Sequence, residues 1–248
     1  MPALIGGFGK IHTRMIKRYF SVEKELKTKT EAELRSKLGP YLAGIIESDG
    51  SIAVHSKDSS AKKYRPKFIV VFSYADEPLA NKLASVTGAG TVYNKKSAGY
   101  VLWQIQKTED VLKIINIING YMRTPKIEAL HRAINWFNDF DNRNINCLDL
   151  DQSNIDSNAW LAGFTDGDGN FSITLTDRKK GGQITSKRVQ TFFRIELRQT
   201  YHRHVSVEQG GTSYFTILSK IASYLGVNLL SRTPVSYTHL TLPTTERV

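Results

Sequence analysis

The feature that most constrains this chain is a nine-residue stretch that occurs twice, as LAGIIESDG at residues 42–50 and LAGFTDGDG at residues 161–169. In each copy, small and apolar residues typical of a closely packed helix precede an acidic end. The second acid of each copy, Asp49 or Asp168, comes directly before a glycine. The segment between the copies is long enough for one compact unit of helices and strands. The repetition therefore predicts a duplicated α+β fold with two similar halves.

Composition narrows the class of partner. The 248 residues carry a formal net charge of +11 with a sequence pI near 9.6, which favours a polyanion such as nucleic acid. No run of roughly 18 apolar residues is present to span a bilayer, so a membrane partner is not expected. Cys147 is the only cysteine, which excludes an intrachain disulfide and argues against a cysteine-based zinc site.

Hydrophobic periodicity and turn signals divide residues 31–140 into a first unit. We expect helices at residues 31–37, 41–48, 77–86, 109–118 and 125–140, and strands at residues 51–56, 67–74, 91–94 and 101–107. Gly39 and Pro40 separate the first two helices, because proline fits the first turn of a new helix. Trp136, Phe137 and Phe140 are candidates for the core.

The second unit repeats this order after a polar linker at residues 141–156. A helix is expected at residues 158–165 and another at residues 216–224, whose sequence KIASYLG echoes KLASVTG of the first unit. Phe171, Ile173 and Leu175 alternate with polar residues, which predicts a half-buried strand, and a second strand follows at residues 189–199. Nothing after Pro234 matches the last hairpin and closing helices of the first unit at residues 97–140.

The two ends of the chain differ from the repeated units. Residues 1–30 form a basic extension that fits a mitochondrial transit peptide, a phosphate-binding arm or the remnant of an upstream reading frame. Residues 235–248 begin with VSYTHLTLPT, which matches the translation of a transposase-type sequencing adapter. We therefore expect a non-native tail there and a second unit, residues 157–234, that is truncated.

Both stretches, together with the repeated order of helices and strands, resemble the single-chain, two-motif form of the LAGLIDADG homing endonuclease family. The resemblance covers roughly residues 31–234. It implies two αββαββα units related by a pseudo-twofold axis, whose antiparallel sheets form a DNA-binding saddle in a monomeric protein. It also implies a site-specific double-strand DNA endonuclease that is intron-encoded and resides in a mitochondrion or another organelle.

The resemblance assigns the acidic residues of the motifs. Asp49 and Asp168 correspond to the metal-binding catalytic acids, one for each DNA strand, and the backbone carbonyls of Ser48 and Gly167 add ligands. Oxygen ligands with open positions suit Mg²⁺, and Mn²⁺ or Ca²⁺ would substitute for binding. Glu47 and Asp166 match the other motif acid, which we assign to helix-end structure.

The remaining assignments concern helix packing and DNA contact. A basic residue near the metals is common in the family, and Lys107 on a late strand is our candidate. The expected interface between the motif helices consists of Leu42, Ala43, Gly44, Leu161, Ala162 and Gly163. The expected DNA-binding residues lie on polar sheet faces or basic loops and are Ser51, His55, Lys57, Lys67, Gln104, Gln106, Lys107, Asn170, Ser172, Thr174, Arg194, Glu196 and Arg198.

Two other functions fit the same sequence. An RNA maturase that assists splicing of intron RNA would need a comparable basic surface, and a DNA-binding protein with a decayed nuclease would keep the fold. Only DNA cleavage requires both aspartates and a divalent metal. Because both acids are intact, cleavage is the favoured function.

Overall fold

The computed structural model describes residues 31–55, 60, 64–181, 183–232, 239–241 and 244–247. Two antiparallel sheets and a set of helices form two units that follow one another along the chain. The expected duplicated α+β fold is confirmed. No helix among the described residues has the length and apolar character needed to cross a bilayer.

The first unit begins with α1 (Glu31–Ser48) and contains a four-stranded sheet in the order β1-β2-β4-β3. The strands are β1 (Gly50–Ala53), β2 (Lys67–Ser73), β3 (Thr91–Lys95) and β4 (Tyr100–Ile105). The helices α2 (Glu77–Thr87), α3 (Thr108–Ile118) and α4 (Ile127–Phe140) complete it. Phe68, Val70 and Trp103 alternate on the inner face of the sheet and are fully buried.

Helix α1 corrects one prediction, because it continues through Pro40 where two helices were expected. Proline has no N–H, so the bond to the carbonyl of Ser36 is missing from the ladder. Gly39 and Pro40 are nevertheless buried, and a side chain at Gly39 would meet the ring of Tyr121 at 2.7 Å. Tertiary packing therefore holds the helix together across a residue that would break it in isolation.

The second unit begins with α5 (Trp160–Asp168), followed by β5 (Gly169–Lys180), β6 (Gln183–Arg198) and α6 (Phe215–Leu225). Its sheet has the order β5-β6-β8-β7, the same topology as the first, with β7 (Leu230–Arg232) and β8 (His239–Thr241) as the second hairpin. A further strand, β9 (Thr244–Arg247), pairs with β6.

The expectation that nothing after Pro234 resembles the last hairpin is thus wrong for one strand, because β8 follows Pro234 whereas β7 precedes it. Residues 239–241 add to β6 through backbone hydrogen bonds, which any sequence able to extend can make. No counterpart of α3 or α4 exists among the described residues of this unit. The non-native origin of residues 235–248 stays a prediction, and residues 235–238, 242, 243 and 248 lie outside the described part.

Two burial predictions also need correction. Phe171, Ile173 and Leu175 alternate on β5 as expected, but they are 52%, 77% and 59% exposed, because no described helix covers them as α4 covers β1 in the first unit. Phe140 is 45% exposed at the end of α4, whereas Trp136 and Phe137 are buried as predicted.

The linker at residues 141–156 has no regular secondary structure, as expected, but it is fixed to the first unit. The Asn119 side chain donates to the carbonyl of Asn146 at 2.8 Å and accepts from the N–H of Leu148 at 3.1 Å. Arg123 forms an ion pair with Asp151 at 2.7 Å. The second unit is therefore connected to the first by an anchored segment.

Candidate active site

The site is built on the crossing of α1 and α5, the two helices that carry the repeated stretch. A Cβ added at Gly44 would lie 2.6 Å from the backbone N of Phe164, and one added at Gly163 would lie 2.9 Å from the carbonyl carbon of Tyr41. Only glycine permits such close backbone contact at this crossing. The structure thus brings the small residues of both copies together, as the resemblance implied.

Asp49 and Asp168 lie at the adjoining C-terminal ends of these helices. A Cβ added at Gly167, the neighbour of Asp168, would lie 3.1 Å from Oδ2 of Asp49. Burial raises the pKa of Asp168 to about 6, the charge of Asp49 adds to that rise, and Lys126 opposes it. Burial also raises the pKa of Asp49 above its ordinary value, although this residue is the more exposed of the two.

Lys126 is the basic residue of the site. Its Nζ donates to the carbonyl oxygens of Ile46, Ser48 and Gly50 at 3.1, 3.2 and 2.9 Å. These groups belong to the last turn of α1 and to the residue that starts β1, where a helix leaves carbonyls without internal partners. Burial lowers the pKa of Lys126, while the charges of Glu47, Asp168 and Asp49 raise it.

Sequence reasoning chose Lys107 for this role and missed Lys126. Lys107 is exposed between β4 and α3, and the charged groups that act on Asp168 are Asp49 and Lys126. One signal was available, since a lysine just before the first turn of α4 is disfavoured by the helix dipole. Such a local conflict often marks a residue with a function elsewhere.

The first acid of each motif has a different environment. Glu47 is 3% exposed and accepts hydrogen bonds from the N–H groups of Arg123 and Thr124, from Thr124 Oγ1 and from Trp160 Nε1. Burial raises the pKa of Glu47 to about 7, and these donors act in the opposite direction. Asp166 is exposed and accepts from the hydroxyl of Tyr41 at 2.7 Å.

Most of the predicted DNA-contacting residues lie on the outer faces of the two sheets, whereas His55, Gln106 and Lys107 lie beyond the ends of the strands. Ser51 and Gln104 both pair with Ile69, and Asn170 pairs with Arg194, so the members of each set lie on one side. The exposed or partly exposed members are Ser51, His55, Lys67, Gln104, Gln106, Lys107, Asn170, Ser172, Thr174, Arg194, Glu196 and Arg198. Lys57 lies outside the described residues.

A cleft of about 500 Å³ adjoins Asp168. It runs between β1 and residues 197–203, and its wall includes Lys126, Arg132, Asp168, Arg198 and Arg203. Arg132 donates from Nη1 to the carbonyl of Val54 at 2.7 Å, which turns its cation toward the edge of β1. Four lysine and arginine side chains against two acids, Glu47 and Asp168, make this cleft suited to a phosphate-bearing ligand.

The donor set at the helix ends fits a hard divalent cation. It consists of the carboxylates of Asp49 and Asp168 with the backbone carbonyls of Ser48 and Gly167, all oxygen ligands. The Ser48 carbonyl accepts from Lys126 and keeps a second lone pair. No group of three or more His, Cys, Asp or Glu residues that could hold a metal ion occurs in the described part of the chain. With two carboxylates and two carbonyls in the set, water and substrate oxygens would complete a coordination shell.

Comparison with known proteins adds an independent finding. A family model described as LAGLIDADG endonuclease matches residues 42–137 and 161–246. The chain is 45% identical over 250 residues to the intron-encoded DNA endonuclease aI3 of Saccharomyces cerevisiae, covering 94% of this chain and 58% of that protein. It is 25% identical over 171 residues to the intron-encoded RNA maturase bI4 of the same yeast, covering 69% of this chain and 24% of the relative.

The chain thus spans less than two thirds of the length of these relatives. Among solved structures, I-SmaMI bound to an uncleaved DNA target in the presence of calcium ions has a TM-score of 0.56 at 18% identity, covering 85% of this chain and 80% of that one. I-GzeII in complex with its DNA target has a TM-score of 0.57 at 16% identity, covering 85% and 79%. At these identities the structural likeness establishes the fold alone.

Proposed function

Because this chain belongs to the LAGLIDADG endonuclease family, we propose that it is a homing endonuclease that cuts both strands of double-stranded DNA at a long, non-palindromic site. The observation that carries this proposal is the convergence of Asp49 and Asp168 at the ends of two crossed helices, between two sheets with polar outer faces. The likeness to the S. cerevisiae intron-encoded DNA endonuclease aI3 supports the same activity.

Each residue of the site has a part in phosphodiester hydrolysis. Asp49 and Asp168, with the carbonyls of Ser48 and Gly167, would hold Mg²⁺, for which Mn²⁺ or Ca²⁺ would substitute in binding. When bound, the metal supplies a Lewis acid that activates water and stabilises charge on the phosphate. Lys126 holds the carbonyls of α1 in place and provides positive charge beside both acids. Each aspartate serves the phosphodiester of one strand.

DNA recognition follows from the two sheet faces. An antiparallel sheet with polar side chains fits the major groove, where base edges present a distinguishable pattern of donors and acceptors. The outward residues of β1 and β4 differ from those of β5 and β6, which favours an asymmetric target. The segment from residue 178 to residue 204 contains eight lysine and arginine residues and a single acidic residue. This excess of positive charge supports contacts to phosphate.

The organisation of the whole protein belongs to the same proposal. The units comprise residues 31–140 and 157–234, joined by the linker at residues 141–156 and preceded by the basic extension at residues 1–30. We expect a monomer that is encoded and acts in a mitochondrion or another organelle. The descriptions of two relatives, which name an intron as the origin of each protein, support this expectation. Assistance to splicing of intron RNA is the second candidate, favoured by the likeness to the maturase bI4.

The test uses a duplex that joins the exons on either side of this reading frame. Purified protein should convert it to two double-stranded fragments in Mg²⁺ and leave it intact in EDTA, because without a divalent cation the aspartates have no Lewis acid with which to activate water. A duplex that retains the intron is the matched control. Failure to cut, together with metal-dependent binding to the intron RNA, would contradict the endonuclease proposal and favour the RNA maturase.

A further inference from the structure

Two aromatic residues at equivalent positions of the repeat connect the halves. Tyr41 comes directly before Leu42 in α1, and Trp160 comes directly before Leu161 in α5. The Tyr41 hydroxyl donates to Asp166 of the other motif at 2.7 Å. The Trp160 Nε1–H donates to Glu47, again of the other motif. Each half thus supplies an aromatic donor to the first acid of its counterpart.

The position of these bonds relative to the helix crossing allows them to oppose movement of α1 against α5. The helices touch through Gly44 and Gly163, whose Cα atoms allow backbone contact but offer no side chain to prevent rotation or sliding. Gly44 follows Tyr41 by less than one helical turn and precedes Glu47 by the same spacing, so the two bonds lie on either side of the contact. Sliding of one helix along the other would lengthen one bond and compress the other, so the pair opposes a shift in either direction.

We propose that the Tyr41–Asp166 and Trp160–Glu47 bonds form a reciprocal lock that fixes the register of α1 against α5. Asp49 and Asp168 each follow the locked acid by two residues, so the register of the helices sets the separation of the two carboxylates. Tyr41 and Trp160 are positioning residues in this arrangement. The inference deepens the proposed function, and its cleavage readout rests on that function.

The two bonds have different surroundings. Glu47 and Trp160 are buried, and the Trp160 ring also stacks on Phe164 at a centroid distance of 4.7 Å and lies 5.6 Å from the guanidinium of Arg123. Asp166 is exposed, so water can replace the hydroxyl of Tyr41 there. Loss of the Trp160 bond should therefore disturb the register more than loss of the Tyr41 bond.

The first arm of the test measures the interface without any need for cleavage. The chain has three tryptophans, and the Trp160→Phe variant identifies the Trp160 indole N–H signal in a ¹⁵N–¹H spectrum by its disappearance. Tyr41→Phe removes only the hydroxyl at the opposite bond. The lock predicts that this change moves the Trp160 signal and that Asp166→Ala moves it in the same direction. The indole N–H signal of Trp136 should not move.

Tyr224→Phe, which removes an exposed hydroxyl on α6, is the matched control and should leave the Trp160 signal unchanged. A Trp160 signal that does not move in either Tyr41→Phe or Asp166→Ala would overturn the lock. This outcome would not affect the proposed endonuclease, because the measurement uses neither DNA nor metal.

The second arm compares single-turnover cleavage with DNA affinity. Tyr41→Phe should slow cleavage about threefold and Trp160→Phe about tenfold, in line with the loss of one hydrogen bond. Because each remaining bond limits the shift that loss of the other permits, the double variant should lose at least about a hundredfold, more than the product of the single effects. DNA affinity should change by less than about twofold throughout. A double variant whose loss in cleavage rate equals the product of the two single losses would show that the residues act independently. Equal losses in DNA affinity and cleavage rate would show that they act as packing groups and not through the register.

Discussion

Replacement of Asp168 by asparagine should stabilise the metal-free protein at pH 8 although it removes a proposed catalytic group. Burial and the neighbouring Asp49 raise the pKa of Asp168 from 3.8 to about 6. A folded-state pKa above the unfolded value means that the stabilisation by this carboxyl is complete below about pH 4 and is lost as the pH rises through about 6. Asparagine resembles the protonated acid at every pH and avoids that loss.

The magnitude follows from the shift. About two pKa units, at about 1.4 kcal/mol each, correspond to about 3 kcal/mol at pH 8. Asp168 is partly exposed, and solvent screening reduces the expected gain to about 1 to 2 kcal/mol. Urea denaturation in EDTA measures the free energy of unfolding directly. The gain should be present at pH 8 and absent at pH 4.

Two controls separate charge repulsion from other effects. Asp156→Asn removes an exposed acid of the linker and should leave the stability unchanged at both pH values. Addition of Mg²⁺ at pH 8 should stabilise the parent protein and not Asp168→Asn, because a bound cation relieves the same repulsion. Equal stability of the parent and Asp168→Asn at pH 8 in EDTA would refute the view that the two aspartates strain the folded state.

Three further experiments, with four substitutions, test the helix crossing, the basic residue of the site and the DNA-binding surface. Gly44→Ala should lower the free energy of unfolding by about 2 kcal/mol or more in urea titrations, because its Cβ would lie 2.6 Å from the backbone N of Phe164; unchanged stability would contradict the close crossing. Lys126→Met should slow single-turnover cleavage about a hundredfold while DNA affinity changes less than about threefold, since a positioned charge beside the reacting groups is lost; cleavage at the parental rate would exclude a role for this lysine. Arg194→Ala and Arg198→Ala should each reduce the slope of log affinity against log salt by about one, as expected for one lost phosphate contact; two unchanged slopes would place these residues outside the DNA interface.

The elements that depend on local pattern could be predicted from the sequence. The alternation in β5 and the signals that bound α2 and α6 gave elements within a few residues of the observed ones. Local reasoning failed at Pro40, where the chain remains helical because neighbouring elements bury this segment. It also failed for the burial of Ile173, since alternation indicates which face is apolar and not whether another element covers it.

The candidate site was predictable to the extent that it repeats. Asp49 and Asp168 were found because the same nine residues occur twice, and the crossing of their helices follows from the small residues within them. Lys126 occurs once and reaches α1 from a loop remote in sequence, so no internal comparison pointed to it. The bonds of Tyr41 and Trp160 lie one residue before the repeated stretch, and their significance depends on a contact between halves that only the fold reveals.

The most direct measurement of the central claim is cleavage by Asp49→Asn and Asp168→Asn, with DNA affinity determined in parallel. On the duplex of joined exons in Mg²⁺, each variant should lose double-strand cleavage while its affinity for the duplex stays within about threefold of the parent, because the sheets and not the acids hold the DNA. Asp156→Asn should cut like the parent. Double-strand cleavage by either motif variant at the parental rate would contradict an active site built from the two aspartates.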